Sequence, residues 1–231
     1  MAKINEIYVR EIRDNLKRFP VWPPGQKPFL GQVGFYNGRR ASFDWKTDLA
    51  ALGLTMPAPQ VGHNQSEFYS SKNAVSYKYS LSAANLGEAS FKFGRSGAIA
   101  ARSKDMELVS VPIGPLEKEL AKAIANNRLN WNKKWVIVTA IYRASSYTAL
   151  ISSSNRSTAS LSTSLPITGL YFDIADPKLG VAVTASEYLH YQTVAEAGAE
   201  PFFQIHKLFF QDNGQHYLKP YGMDRGWLSL W

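Results

Sequence analysis

Apolar and polar positions alternate most clearly over Val75–Ala83. Val75, Tyr77, Tyr79, Leu81 and Ala83 share one parity, and Ser76, Lys78, Ser80 and Ser82 take the other. A period of two predicts a strand with one covered face. Asn85–Gly87 turns the chain into Ala89–Arg102, where Phe91 and Phe93 alternate with Lys92. Residues 66–102 therefore read as one long hairpin, with arms that reach the roughly nine to eleven residues of a membrane-crossing β-strand. A second pattern fills Lys134–Ser164. It opens with an apolar run, Trp135–Tyr142, that includes Val136 and Val138 and is too short for a membrane helix. From Ala144 to Phe172 the only charge is Arg156. Tyr147, Ala149 and Ile151 keep one parity, and Ala159 and Leu161 continue beyond Asn155-Arg156. The pattern predicts two long strands turning near Ser154–Arg156. Two settings suit them: the interior of a β-rich soluble domain, or a hairpin that exchanges water for lipid because so little charge forbids it.

Helical spacing appears twice. Over residues 3–19, Ile4, Ile7, Val9, Ile12, Leu16 and Phe19 fall mostly on one side, with Lys3, Arg10, Arg13, Lys17 and Arg18 on or beside the other. This predicts an amphipathic helix ended by Pro20, Pro23 and Pro24. Such a helix either packs by one face on its own domain or lies on anionic lipid. The second helix is expected from Gly114-Pro115 onwards, with proline at the first helical position, Glu117 and Glu119 in the first turn, and a stripe of Leu116, Leu120 and Ile124.

Turn chemistry places the remaining elements. Asn37-Gly38, between Gln32–Tyr36 and Arg39–Trp45, is a strong hairpin signal and presents Phe35, Tyr36, Arg39 and Arg40 at its tip. Aromatic and basic residues together suit a lipid interface or single-stranded nucleic acid; a plain solvated turn has the same composition. Asp48–Leu54 reads as a short helix, TMPAPQVGHNQ as a loop and Pro166–Gly180 as a mixed loop. Val181–Val194 and Phe202–Phe210 read as strands separated by EAGAEP. For Ser186–Ala197 the alternative is a helix ending at Gly198. The tail closes on Trp227 and Trp231 as a packing element.

Charge and composition narrow the function. Twenty-six Lys and Arg against 18 Asp and Glu leave a net +8 in 231 residues, which favours a polyanionic partner. With no cysteine, disulfides, thiolate metal sites and cysteine nucleophiles are excluded. His63, His190, His206 and His216 lack metal-ligand spacing. The first 19 residues carry acids and no uninterrupted apolar core, unlike a signal peptide. The chain is thus expected to be made in the cytoplasm. No P-loop, dinucleotide fingerprint or His-Glu-x-x-His occurs. Gly94-Arg95-Ser96-Gly97-Ala98 misses the nucleophile elbow at its last position. The expectation is a protein without catalytic residues, cofactor or metal.

The order of elements has a parallel. A basic amphipathic helix, an aromatic–basic hairpin tip, a short Asp-Leu helix, a long alternating hairpin, an amphipathic helix followed at once by WVIVTAIY, a Ser/Thr-rich hairpin and a late FFQIHKL strand resemble the amino-terminal pore-forming domain of the gasdermins. The resemblance implies an α+β domain over 1–210, with a twisted, mostly antiparallel sheet and two hairpins able to extend, and a short tail over 211–231. It implies binding to anionic membrane lipids through Arg10, Arg13, Lys17, Arg18, Arg39 and Arg40, with Phe35 and Tyr36 at the interface. It further implies a homo-oligomeric β-barrel pore that causes cell death, acting at the inner face of the cell membrane. The inserting segments would be about Ser66–Lys104 and Trp135–Ser164. They carry Val75, Tyr77, Tyr79, Leu81, Phe91, Phe93, Val136, Val138, Tyr147, Ala149, Ile151 and Leu161. Members of that family usually carry a repressor, and some bacterial ones an acylated cysteine. Here the tail Asp212–Trp231 or an inhibitory partner protein would fill the first role, and no residue fills the second. Two rivals stand beside this reading. One is a nucleic-acid-binding module, a partner class the pore reading disfavours; the other is a structural subunit whose uncharged strands pair with neighbours in a soluble assembly.

Overall fold

A computed structural model describes residues 4–21, 27–38, 40, 42–62, 65–81, 87–164, 181–185, 189–211 and 215–222. Lys3, Arg39, Ala83, Pro166–Gly180, Trp227 and Trp231, singled out above, lie outside the described residues. The chain folds as α+β with mostly antiparallel sheets. Helix α1 (Ile4–Leu16) is followed by β1 (Phe19–Pro20), β2 (Gln32–Asn37), β3 (Ser42–Asp48), β4 (Gln60–Val61), β5 (Gln65–Ser70) and β6 (Val75–Leu81). Next come β7 (Gly87–Phe93), β8 (Ile99–Ser110), α2 (Ile113–Ala125), β9 (Trp135–Ser152), β10 (Thr158–Thr163), β11 (Val181–Ala185), β12 (Leu189–Phe210) and β13 (His216–Pro220). Two compact units interleave along the chain. One takes Met1–Tyr8, His63–Glu107 and Arg143–Pro201, the other Val9–Gly62, Leu108–Tyr142 and Phe202–Trp231.

In the first unit, the alternating segment forms one hairpin folded over on itself. Near its end β6 pairs with β7, from Leu81↔Gly87 down to Val75↔Phe93. Further from the turn β5 pairs with β8, with Ser70 opposite Ala100 and Phe68 opposite Arg102. Ser71–Ala74 and Gly94–Ala98 interrupt both arms at the same level, and buried hydroxyls hold the corner. Ser71 Oγ accepts from the Ile99 N–H at 2.8 Å. Ser152 Oγ accepts from the Ala98 N–H at 3.0 Å and donates to the Arg95 carbonyl at 2.5 Å. Gly97 (φ +73°) is obligatory here, because a Cβ would stand 2.8 Å from Ile7 Cγ2.

The second expected hairpin does not close. Strand β9 pairs with β2, β8 and β12, whereas β10 lies between β7 and β11 in a separate four-stranded sheet, β11-β10-β7-β6. Between them Ser157 Oγ donates to the Ser154 carbonyl at 3.1 Å, and Ser154 Oγ accepts from the Arg156 N–H at 3.0 Å. The chain does turn at Asn155-Arg156, as expected, and serine hydroxyls there satisfy backbone as it passes from one sheet to the other instead of closing a hairpin. The core of this unit is Ala89, Phe91, Phe93, Ala98, Ala100, Leu150, Ala159 and Leu161.

The second unit packs α2 on its strands. Its core holds Val33, Leu49, Val111, Leu116, Leu120, Trp131, Ile137, Leu208 and Leu218. The helix begins at Ile113, earlier than proline placement suggested. Pro115 is therefore its third residue, where the missing N–H is still one that no helical carbonyl would accept. Glu117 and Glu119 fall beyond the first turn, and Glu117 Oε2 accepts from the Leu218 N–H of β13 at 2.9 Å.

Other expectations are corrected. Helix α1 ends at Leu16 because Lys17 turns left-handed (φ 55°), and Phe19 becomes a buried strand residue opposite Phe203. Lys17 and Arg18 are therefore not helical. Asp48–Leu54 forms turns: Asp48 Oδ1 takes the Ala51 N–H at 2.8 Å, which competes with helical bonding. The second arm of the Asn37-Gly38 hairpin starts at Ser42, which pairs with Asn37, and Arg40 lies in the turn. EAGAEP does not break the late strand, nor is Ser186–Ala197 a helix over its described part. Strand β12 runs through Gly198, which absorbs a left-handed φ of +61°. Finally, Tyr77 and Tyr79 are 44 % and 48 % exposed, so the face expected to be covered is partly open, although Tyr77 still touches Phe68 and Phe91. Among the described residues β6 is an edge of its sheet, and Val75 packs against the core.

Candidate functional site

The first site element is the β2–β3 tip. Strands β2 and β3 approach closely at Gly34, where a Cβ would lie 2.4 Å from the Asp44 carbonyl, and the ladder shifts by a bulge between Val33 and Gly34. The tip itself is wider than a two-residue turn. Asn37 Oδ1 accepts from the Arg40 N–H at 3.1 Å and holds Arg40, whose side chain is exposed.

Tyr36 is not a free interface residue. Its ring packs 5.0 Å from Phe19 and 4.8 Å from Phe43, and its hydroxyl accepts from Arg13 Nη1 at 2.9 Å. Burial raises the Tyr36 pKa against the opposing pull of Arg13. For Arg13, burial works to lower the pKa, but bonds to Asp14 and Tyr36 outweigh it and raise it. Arg13 also meets Asp14 at 2.7 Å. Arg18 stacks 4.2 Å from the Tyr142 ring centroid and 6.0 Å from that of Phe202. Arg13 and Arg18 are thus tied to the protein's own rings; Arg10 and Arg40 are exposed, and Lys17 and Phe35 are half-buried.

Beside the tip opens a cleft of about 800 Å³. Its cations are Arg40, Lys134 at the start of β9 and Lys207 of β12; its rings are Phe35, Tyr36 and Tyr221; its acid is Asp44. Asp44 is already paired with Lys46 at 2.7 Å. Among the described residues, no carboxylate pairs with Arg40, Lys134 or Lys207. Lys207 Nζ stands 4.9 Å from the Tyr221 ring, and Lys219 sits directly opposite Lys207 in the β12–β13 ladder. Sequence reasoning found Phe35, Tyr36 and Arg40 but missed Lys134, Lys207 and Tyr221. The one signal for Lys134 was its place beside Lys133 ahead of the WVIV run.

The second site element is the four-stranded sheet. Its register keeps the two parities on separate faces. Tyr77 pairs with Phe91 and Phe91 with Ala159; Tyr79 pairs with Ala89 and Ala89 with Leu161. On the other face Ser76 pairs with Lys92, Ser80 with Glu88, Lys92 with Thr158 and Glu88 with Ser162. Phe91, Phe93 and Leu161 are buried, and the Leu81 side chain lies outside the described residues. Among the other candidate inserting residues, Val136, Val138, Ala149 and Ile151 are fully buried in β9, and the Tyr147 hydroxyl meets that of Tyr8 at 3.1 Å.

No family model matches the chain, and no curated protein does. Among solved structures it is similar to the gasdermin A3 membrane pore determined by cryo-electron microscopy, with a TM-score of 0.34 and 9 % identity over 96 % of this chain and 96 % of that one. A likeness this distant carries no argument about function, which rests below on the chain's own residues. Among the described residues, no helix is long and apolar enough to cross a membrane.

Proposed function

We propose that this protein binds acidic membrane surfaces and permeabilises them by assembling into a β-barrel with further copies of itself. The observation that carries the reading is the two-faced register of β6, β7 and β10. Every charge on these strands (Lys78, Glu88 and Lys92) falls on one face, and rings and aliphatic groups fill the other. A closed barrel in lipid needs that division, one face towards the hydrocarbon and one towards water, with all backbone groups paired. In the folded chain the apolar face is satisfied by the core over β7 and β10, while Tyr77 and Tyr79 stay open on β6. The folded-over hairpin supplies length, because straightening at Ser71–Ala74 and Gly94–Ala98 joins β5 to β6 and β7 to β8 in one antiparallel ladder.

Docking falls to Arg10, Lys17, Arg40 and the neighbouring Arg39 in this reading, with Arg13 and Arg18 keeping the docking surface in shape. Acidic lipid attracts such cations by about 1 kcal/mol each near the surface. The reading calls for no cofactor and no catalytic residue, and it places the action at the inner face of the cell membrane. Dye release from vesicles tests it. The full chain is expected to empty vesicles containing acidic lipid and to spare neutral ones. Intact acidic vesicles after incubation with folded protein would sink the proposal.

A further inference from the structure

We propose that the cleft beside the β2–β3 tip is a binding site for a soluble organic polyphosphate. The inference stands apart from the pore reading, since binding is read without a membrane. Three segments far apart in sequence bring Arg40, Lys134 and Lys207 to one cavity of about 800 Å³, a size within the small-ligand range. The cavity's own acid does not neutralise them, because Asp44 is engaged by Lys46. The ladder next to the cleft repeats the imbalance: Lys207 and Lys219 face one another across β12 and β13. Like charges directly opposite are unfavourable in an antiparallel pair, and the neighbouring rings of Tyr221 and Tyr217 relieve them only in part. A multiply charged anion in the cleft would relieve both arrangements together.

Ring chemistry narrows the ligand further. Tyr36 and Tyr221, their centroids 6.3 Å apart and their planes at 88°, meet edge to face beside the cations. Phosphate groups would meet the cations, and a base or sugar would pack against one of these rings. A lipid headgroup offers the same phosphate chemistry. The free form is favoured because, among the described residues, the large hydrophobic residues with exposed side chains, Phe29, Val61, Tyr77 and Tyr79, do not line the cleft. Among the described residues the cleft thus has no exposed apolar rim to seat it in a bilayer.

Calorimetric titration of the full chain at low salt with sodium triphosphate and with ATP tests this, alongside flotation with vesicles containing a phosphorylated headgroup. Saturable one-to-one binding of both soluble probes is expected. Lys134→Ala and Lys207→Ala should each weaken it about tenfold, the loss of one charge-assisted contact. A Lys78→Ala/Lys92→Ala double variant, which removes two cations from the other unit, should bind as the parent does. Melting curves confirm that each variant folds. Absence of saturable binding by either soluble probe overturns the proposal, as does an equal loss in the control variant. Capture by vesicles without soluble binding would also overturn it, and loss of that capture in Lys134→Ala and Lys207→Ala would assign the cleft to a lipid headgroup.

Discussion

Tyr79→Arg separates the membrane reading from a merely soluble β-sheet. In the folded protein Tyr79 stands on an edge strand, 48 % exposed, with its ring 5.3 Å from that of Tyr77. Losing that edge-to-face contact costs about 0.5–1.5 kcal/mol. The added charge stays in water, so the fold should survive with a slightly lower melting point. In a barrel the same residue would lie on the lipid face beside Ala89 and Leu161. There an Arg near the bilayer midplane costs about 2–4 kcal/mol per copy. That converts to a loss of roughly 30- to 1,000-fold in the insertion equilibrium. Ser80→Arg is the matched control: it adds the same charge one residue away, on the polar face and opposite Glu88. Dye release and vesicle flotation are measured together. Tyr79→Arg should float with acidic vesicles yet release little dye, and Ser80→Arg should do both as the parent does. Equal release by the two variants would refute the reasoning, since the apolar face would then not meet lipid.

Two further predictions concern the fold itself. His206 is buried, with Nδ1 2.7 Å from Thr139 Oγ1, and burial lowers its pKa from 6.5 to about 4. The unfolded chain takes up a proton near 6.5 while the folded chain resists, so this contribution is fully present above that pH. It falls as the pH drops towards about 4 and then levels off, for a loss of about 2–3 kcal/mol near pH 4.5. Urea unfolding at about pH 7.5 and about pH 4.5 should show a smaller acid loss in His206→Gln; an unchanged loss would clear His206 of responsibility. Ser152→Ala leaves the Arg95 carbonyl without its hydroxyl donor and removes an acceptor for the Ala98 N–H, at a cost of about 1–3 kcal/mol. Ser145→Ala, at an exposed hydroxyl, should stay within about 0.5 kcal/mol in the same assay.

Local pattern carried much of the architecture. The period-two run at Val75 and the Phe91–Phe93 alternation produced β6 and β7 on the expected parities, and the Leu116–Leu120 spacing produced the buried face of α2. These are legible because the direction of a side chain repeats with the backbone's own period. Partner choice is not local. Trp135–Ser152 and Thr158–Thr163 are adjacent in sequence yet lie in different sheets, and Gly198 lets a strand pass where loop residues promised a break. Charges behaved likewise. Arg10, Arg13 and Arg18 look alike in the sequence, but a tyrosine hydroxyl claims Arg13 and an aromatic face claims Arg18. Such pairings join residues separated by tens of positions, and no window of sequence contains both members. The cleft is the extreme case, because Arg40, Lys134, Lys207 and Tyr221 come from four stretches of chain. Periodicity assigns each residue a face; only the packing of distant strands decides which faces meet.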